Sequence, residues 1–330
     1  MEYLGPTVFE LGESQALAKA VAVFKTVDST IIGSGDDAAV VAVPDGRFVV
    51  TTDTLVQDHD FRLEFSSAFD LGFKAVASNV ADVVAMGARP IALTVAMVIT
   101  KETRQSWLED FARGLQVGID ELAPTAEIVG GDLASGSQIV IAVSAHGELI
   151  SEPVLRSGAK VGDQLVVCGT LGKAAAGLDL MLHEDKTLAA SYPELVAVQL
   201  RPTPPTTLGM LVSQSANAMM DISDSLVLDA SRMAKASGVS VRISSSQLFG
   251  YEAVLEQAAQ SITSRGGEPK SARDWVLYGG EDHSFLLAMP ADFKLPAGCK
   301  KVGEVIEKSD SLVYLDDQPL DPKGWDSVRG

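Results

Sequence analysis

Acidic residues recur at the ends of apolar runs along this chain. Gly35-Asp36-Asp37-Ala38-Ala39 is followed closely by Thr51-Thr52-Asp53-Thr54, and the runs Val40-Val41-Ala42-Val43 and Phe48-Val49-Val50 flank the turn residues Pro44-Asp45-Gly46-Arg47. That pattern predicts a β-hairpin, whose antiparallel pairing brings the acidic pair and Asp53 together at one sheet edge. Two carboxylates about 4 Å apart repel by roughly 4 kcal/mol at a protein-like effective dielectric, so such a gathering calls for a cation. Hard oxygen donors with hydroxyls beside them suit Mg²⁺ better than zinc. Taken alone, Asp36 and Asp37 read equally as turn formers after Gly35. What favours chemistry is recurrence of the pattern.

The remaining acids sit on elements that the sequence places in order. A helix is predicted over Glu13 to Lys25, and a longer one from about Ser67 to Gly87, with Ser66 or Ser67 as N-cap and Gly87-Ala88-Arg89-Pro90 as its stop. Asn79 and Asp82, three apart, project from one face of that helix, where a partly buried Asp needs a hydrogen bond, a paired charge or a cation. Ile91 to Thr100 reads as a strand, Glu102 to Leu122 as a helix, and Glu127-Ile128-Val129 as a short strand running into the turn-like Gly130-Gly131-Asp132. Gln138 to Gly147 reads as a further strand.

Ser151 to Gly162, with Pro153, Gly158 and Gly162, marks a joint, dividing the chain into 1–150 and 151–330. Leu165 to Cys168 is a predicted strand. Gly169-Thr170-Leu171-Gly172-Lys173 then turns into a helix without the spacing of a phosphate loop. Arg201 to Pro205 forms a rigid connector. A strand at Ala218-Met219-Met220 delivers Asp221-Ile222-Ser223-Asp224 to a helix that Ser223 would cap and Gly238 would end. Asp224 also reads as favourable charge at a helix N-terminus. Gln260 to Pro269 reads as a loop, and Gly279-Gly280-Glu281-Asp282 repeats the glycine-pair-then-acid arrangement before a strand over Phe285 to Met289.

The composition narrows the function classes. At 330 residues and 46% hydrophobic, the chain is long enough for two domains with buried cores. A formal net charge of −18 argues against a nucleic-acid partner. The most apolar region, Phe73 to Thr100, is broken by Lys74, Asp82, Arg89 and Pro90, so no membrane span is expected. Met1-Glu2-Tyr3-Leu4 lacks the features of a signal peptide, which makes the cytoplasm the expected compartment. Cys168 and Cys299, far apart in sequence, are expected to form neither a disulfide framework nor a metal site. A site this acidic reaches phosphates only through metals, and phosphoryl transfer needs little beyond positioning and charge neutralisation.

The ordered set Gly35-Asp36-Asp37-Ala38-Ala39, Thr51 to Val56, Asn79 with Ala81-Asp82 and Ala85-Met86-Gly87-Ala88, Gly130-Gly131-Asp132, Arg156 to Lys160, Asp221 to Asp224, and Gly279 to Asp282 resembles thiamine-monophosphate kinase over nearly the whole chain. The resemblance implies ATP-dependent phosphorylation of thiamine monophosphate to thiamine diphosphate. It also implies the fold of aminoimidazole ribonucleotide synthetase: an α+β N-terminal domain, 1–150, that binds metal and nucleotide and forms a homodimer through its sheet, and an α/β C-terminal domain, 151–330, that closes over nucleotide and substrate. Carried over by position, Asp37, Thr51, Thr52, Asp53, Asp82, Asp132, Asp221 and Asp224 are the implied Mg²⁺ ligands, with Asp53, Asp132 and Asp221 central to catalysis. Gly131, Asp132, Arg156 and Ser223 are the implied ATP contacts, and Glu281 and Trp325 the implied substrate contacts. The family's substrate-binding His is expected seven residues after Asp53, where this chain has Asp60 with His59 just before it. Ser225 stands in place of a usual glycine and His283-Ser284 in place of a usual Tyr-Glu.

Two other readings compete. Selenophosphate synthetase and the hydrogenase-maturation dehydratase share the superfamily, but the first usually carries an early reactive Cys and the second a C-terminal one. This chain has no cysteine before Cys168 and ends Ser327-Val328-Arg329-Gly330. Aminoimidazole ribonucleotide synthetase matches less well in its motifs. The second reading, a metal-storing or metal-sensing protein, leaves Arg156, Ser223 and Trp325 without a role.

Overall fold

The computed structural model describes residues 5–11, 19–20, 22–25, 27–28, 30–32, 40–44 and 46–325. The chain divides into two compact units, one comprising Met1–Val84 with Ala88–Ser151 and the other Ala85–Gly87 with Glu152–Gly330. Most of the helix predicted over 13–25, and the Asp36-Asp37 pair, lie outside the described residues. Among the described residues, no helix is long and apolar enough to cross a membrane.

The first unit begins with a short helix, α1 (Val8–Leu11), and a two-stranded antiparallel ladder of β1 (Thr30–Ile32) and β2 (Val40–Val41). Its main sheet has the order β3-β6-β4-β5, built from β3 (Phe48–Val56), β4 (Ala88–Ile99), β5 (Glu127–Ser135) and β6 (Val140–Leu149). The predicted hairpin is therefore corrected. A turn does form, with the Gly46 N–H donating to the Val43 carbonyl at 3.2 Å, but β2 pairs with β1 and β3 pairs with β6. Nine consecutive cross-strand pairs, from Phe48↔Glu148 to Val56↔Val140, give β3 a far longer ladder than the short β2 offers. Strands β6 and β4 are antiparallel, whereas β4 and β5 are parallel.

Helix α2 (Ala68–Ala85) opens with a reciprocal cap: Asp70 N–H donates to Ser67 Oγ at 3.2 Å, and Ser67 N–H donates to Asp70 Oδ2 at 3.0 Å. Leu71, Val76, Val80 and Val84 are buried along it. The second helix, α3 (Gln105–Leu122), packs against α2, with Gly118 lying on Val76. One sheet face is buried beneath this layer. On the other face alternation leaves Phe48, Val50, Thr52 and Thr54 exposed.

The second unit is a seven-stranded sheet in the order β13-β12-β9-β11-β7-β10-β8. Its strands are β7 (Gln164–Cys168), β8 (Ala218–Ile222), β9 (Ser240–Ile243), β10 (Ser284–Met289), β11 (Cys299–Ile306), β12 (Val313–Leu315) and β13 (Gln318–Pro319). All pairs are antiparallel except β12 with β9. The helices are α4 (Lys173–Leu182), α5 (Thr187–Ala190), α6 (Pro193–Leu200), α7 (Thr206–Ser213), α8 (Leu226–Ser237), α9 (Ser245–Glu252), α10 (Glu256–Ser264) and α11 (Ala272–Tyr278). Leu165, Leu180, Met233, Leu286 and Val302 belong to its continuous core. The loop predicted over 260–269 is corrected, since α10 occupies its first half with Ala258, Ala259 and Ile262 buried on one face.

Cys168 and Cys299 form a disulfide, against expectation. They are 131 residues apart in sequence yet directly opposed, because β7 and β11 pair in the register Cys299↔Cys168. Sequence distance hid a contact that strand pairing creates.

Candidate functional site

Strand alternation sorts the hydroxyl and carboxyl groups of the first unit. Thr51 and Asp53 face α2, where Thr51 Oγ1 donates to Asp82 Oδ2 at 2.7 Å. The Asp53 backbone N–H donates to Asn79 Oδ1 at 3.1 Å, and Asn79 Nδ2 in turn donates to the Ala75 carbonyl at 2.9 Å. The Asn79–Asp82 helical spacing thus lays both side chains along β3, with Asn79 buried and Asp82 partly open to solvent. Thr52 falls on the opposite face, where its Oγ1 donates to the Val143 carbonyl at 2.8 Å and lies 2.8 Å from Ser144 Oγ.

Gly130-Gly131-Asp132 is not a turn. The three residues continue β5, paired with Thr94, Val95 and Ala96 of β4. A Cβ on Gly131 would stand 2.0 Å from the Val95 carbonyl oxygen, so only glycine lets the two strands approach here. Asp53 lies in the row Val143–Val95–Gly131, while Asp132 lies in the next row, Thr54–Ala142–Ala96. Neighbouring rows face opposite ways, so the exposed Asp132 shares a face with Thr52 and not with Asp53. Sequence reasoning put all three together; the register parts them.

After β3 the chain makes a tight turn. Asp60 Oδ2 accepts the Val56 N–H at 2.8 Å, and Asp60 Oδ1 lies 2.9 Å from His59 Nδ1. Asp60 closes its own turn, while His59 is exposed beside it.

In the second unit Asp221 lies within β8, paired with Phe285 of β10, and only 5% of it is exposed. His283 Nδ1 stands 3.4 Å from Asp221 Oδ2. The strand then turns through Ser223 and Asp224 into α8, whose N-cap is Ser225 and not the predicted Ser223: Ser225 Oγ accepts the Leu228 N–H at 3.0 Å. Strand β8 runs two residues further than its apolar letters suggest, which carries the cap along with it.

Asp229 and Arg232 went unremarked in the sequence reading. Asp229 Oδ2 accepts the N–H groups of Asp224 and Ser225 at 3.1 and 3.2 Å, and Arg232 Nη1 bridges Asp229 Oδ1 at 2.6 Å and Asp224 Oδ2 at 2.5 Å. Burial, then the charge of Asp221, push Asp229 up to about 6, against the opposing pull of the Ser225 N–H and Arg232. The legible signal was spacing, an acid and a base in the first two turns of a helix that begins beside two further acids.

The segment Gly279 to His283 interlocks with that turn. Glu281 N–H donates to the Ser223 carbonyl at 2.8 Å, and Glu281 Oε2 accepts Gln199 Nε2 at 2.6 Å. Glu281 and His283 take left-handed backbone angles, φ 65° and 49°, a conformation that non-glycine residues adopt rarely and that clusters at functional sites. Asp282 between them is a structural cap. It accepts Thr170 Oγ1 at 2.6 Å and the N–H groups of Lys173 and Ala174 at 3.3 and 3.2 Å, tying the start of α4, while burial raises its pKa. Arg156 is exposed in a short 3₁₀ turn, Arg156–Gly158. Trp325 lies in the tail, its N–H donating to the Asp224 carbonyl at 3.2 Å. Asp37 lies outside the described residues. Among the described residues no group of three or more His, Cys, Asp or Glu is arranged to hold a metal.

The family model described as AIR synthase related protein, N-terminal domain, matches residues 35–149. The thiamine-monophosphate kinase of Mycobacterium tuberculosis is 38% identical over 324 residues, covering 98% of this chain and 93% of that protein. The crystal structure of thiamine-monophosphate kinase from Stenotrophomonas maltophilia K279a superposes with a TM-score of 0.76 at 30% identity, covering 93% of this chain and 96% of that one. AaThiL complexed with AMPPCP and TMP superposes with a TM-score of 0.77 at 31% identity, covering 98% and 99% of the two chains. Fold and family model together define a protein of the AIR synthase-related class. Within that class, full-length similarity at this level shows that the chain belongs to the thiamine-monophosphate kinase family.

Proposed function

We propose that the protein transfers the γ-phosphoryl group of ATP to thiamine monophosphate, giving thiamine diphosphate. The observation that carries this reading is end-to-end correspondence with a kinase of known structure bound to AMPPCP and TMP. The oxygen donors in each unit support it. Thr51, Asp53 and Asp82 in the first unit, and Asp221 and Asp224 in the second, are hard ligands with no competing thiol, a donor set that fits Mg²⁺. Held by these residues, Mg²⁺ would neutralise phosphate charge and polarise the γ-phosphoryl group.

The chain's own groups do the rest. Arg156, exposed, offers a guanidinium to phosphate oxygens, and Gly131 and Ser223 offer backbone and hydroxyl groups to the nucleotide. Glu281, Trp325 and the exposed His59 take the thiamine moiety, with Asp60 holding the His59 turn. Transfer is direct and in line, without a phosphoenzyme. Both cysteines are sulfur-bonded and buried, so neither offers a thiolate to the γ-phosphoryl group. A covalently phosphorylated protein trapped after brief exposure to γ-labelled ATP would overturn direct transfer.

The working form we propose is a cytoplasmic homodimer. Phe48 and Val50, 55% and 59% exposed, stand on the open sheet face beside Thr52 and Thr54, an apolar strip suited to a second copy. In that dimer Asp132 and Thr52, on the same face, lie at the subunit boundary. The first domain then supplies metal and nucleotide contacts, and the second supplies nucleotide and substrate contacts. The decisive assay is formation of thiamine diphosphate from thiamine monophosphate and Mg-ATP, with thiamine as the control acceptor; absence of the diphosphate refutes the reading.

A further inference from the structure

Ser225 serves two partners with one hydroxyl. It is fully buried, and its Oγ accepts the Leu228 N–H at 3.0 Å while donating to the Lys323 carbonyl oxygen at 2.7 Å. A hydroxyl has a single hydrogen to give, so that hydrogen goes to Lys323 and a lone pair caps α8. The tail continues the contact: Trp325 N–H donates to the Asp224 carbonyl at 3.2 Å. Between these bonds, a Cβ on Gly324 would stand 2.7 Å from the Asp224 oxygen and 2.9 Å from Ser225 Oγ. Residues 323–325 are thereby fastened at two backbone points to the turn that carries Asp224, at a distance only glycine allows. A glycine at position 225 would supply neither the cap nor the tail bond.

We infer that Ser225 is a positioning residue for the heteroaromatic cation of the substrate: through the Lys323 carbonyl it holds Trp325 beside the Asp221–Asp224 turn. The inference rests on the thiamine monophosphate kinase reading. Trp325 is 43% exposed, and an indole face attracts a thiazolium ring by stacking and cation–π interaction. A tail already tied down is ordered before the ring arrives. An untied tail must be ordered by the substrate itself, which weakens binding of that substrate.

Steady-state kinetics with both substrates test this in Ser225→Ala, Ser225→Thr, Gly324→Ala and Trp325→Ala enzymes. Ser225→Ala and Gly324→Ala are expected to raise KM for thiamine monophosphate by about fivefold or more, in the direction of Trp325→Ala, while KM for Mg-ATP stays within about twofold. Gly324→Ala keeps the Ser225 hydroxyl and the helix cap, so an effect shared by the two variants belongs to tail docking and not to helix stability. Ser225→Thr retains the hydroxyl and is expected to restore a KM closer to wild type. Acrylamide quenching of tryptophan fluorescence is expected to increase in Ser225→Ala, because Trp107 and Trp275 are buried and Trp325 is the residue released. Wild-type KM for thiamine monophosphate in Ser225→Ala and Gly324→Ala overturns the inference, as does wild-type KM in Trp325→Ala or an equal rise in both KM values. If the wild-type enzyme makes no thiamine diphosphate, the kinase reading falls and takes the inference with it; if it does and the variants are unaffected, the inference alone falls.

Discussion

Asp53 answers to two elements at once. Alternation along β3 turns its side chain to the α2 face, and the Asn79 amide oxygen receives its backbone N–H, so its position is set by backbone bonds that a side-chain change leaves alone. Replacing the carboxylate by an amide, Asp53→Asn, should therefore keep the fold, with an unfolding temperature near that of wild type. Turnover should fall by at least about 100-fold, as for loss of one charged group at a phosphoryl-transfer centre. Retained turnover would remove Asp53 from the metal-binding set. Asp229 gives a second residue-scale test. Its proton affinity is higher folded than unfolded, about 6 against 3.8, so its stabilising contribution is full below the unfolded value and is lost as pH rises through about 6. In chelator-treated protein, urea unfolding should show wild type losing up to about 3 kcal/mol between roughly pH 4 and 6.5 relative to Asp229→Asn, in which this titration is absent. Parallel pH profiles for the two proteins would show that Asp229 does not titrate in this range.

At the scale of elements, the Cys168–Cys299 bond and the Asp282 cap secure the same corner. Strand β7 ends at Cys168, and the loop that follows is held by Thr170 Oγ1 on Asp282 and by the N–H groups that open α4. Crosslinking β7 to β11 across 131 residues restricts the unfolded chain far more than the folded one, by about 5 kcal/mol on the chain-entropy model. Protein unfolded without reductant should accordingly expose no titratable thiol. Dithiothreitol should lower the unfolding midpoint of wild type and leave a Cys168→Ser, Cys299→Ser double variant unmoved. Two free thiols in unreduced protein would refute the crosslink. Glu281 and His283, left-handed on either side of buried Asp282, show how this corner is maintained: the carboxylate's hydrogen bonds to α4 outweigh the backbone cost of its neighbours.

For the molecule as a whole, the open face of the β3-β6-β4-β5 sheet sets the expectation of assembly. Val50→Asp places a charge in the middle of that apolar strip and should weaken a dimer by about 100-fold or more, seen as a monomer in light scattering after size-exclusion chromatography. An unchanged mass would free that face from the interface. Much of the architecture was legible in the chain. The apolar run and terminal signals of α2, the helical pattern of α3 and the acids on successive elements follow from local rules, because period, caps and turn residues act over a few positions. Long-range pairing was not legible. Which strand lies beside β3, which face receives Asp132, that Asp282 caps a helix more than 100 residues earlier, and that two distant cysteines meet all depend on register. A one-residue step in register turns a side chain to the other face of a sheet, and no local pattern records that step, so only the folded chain decides it.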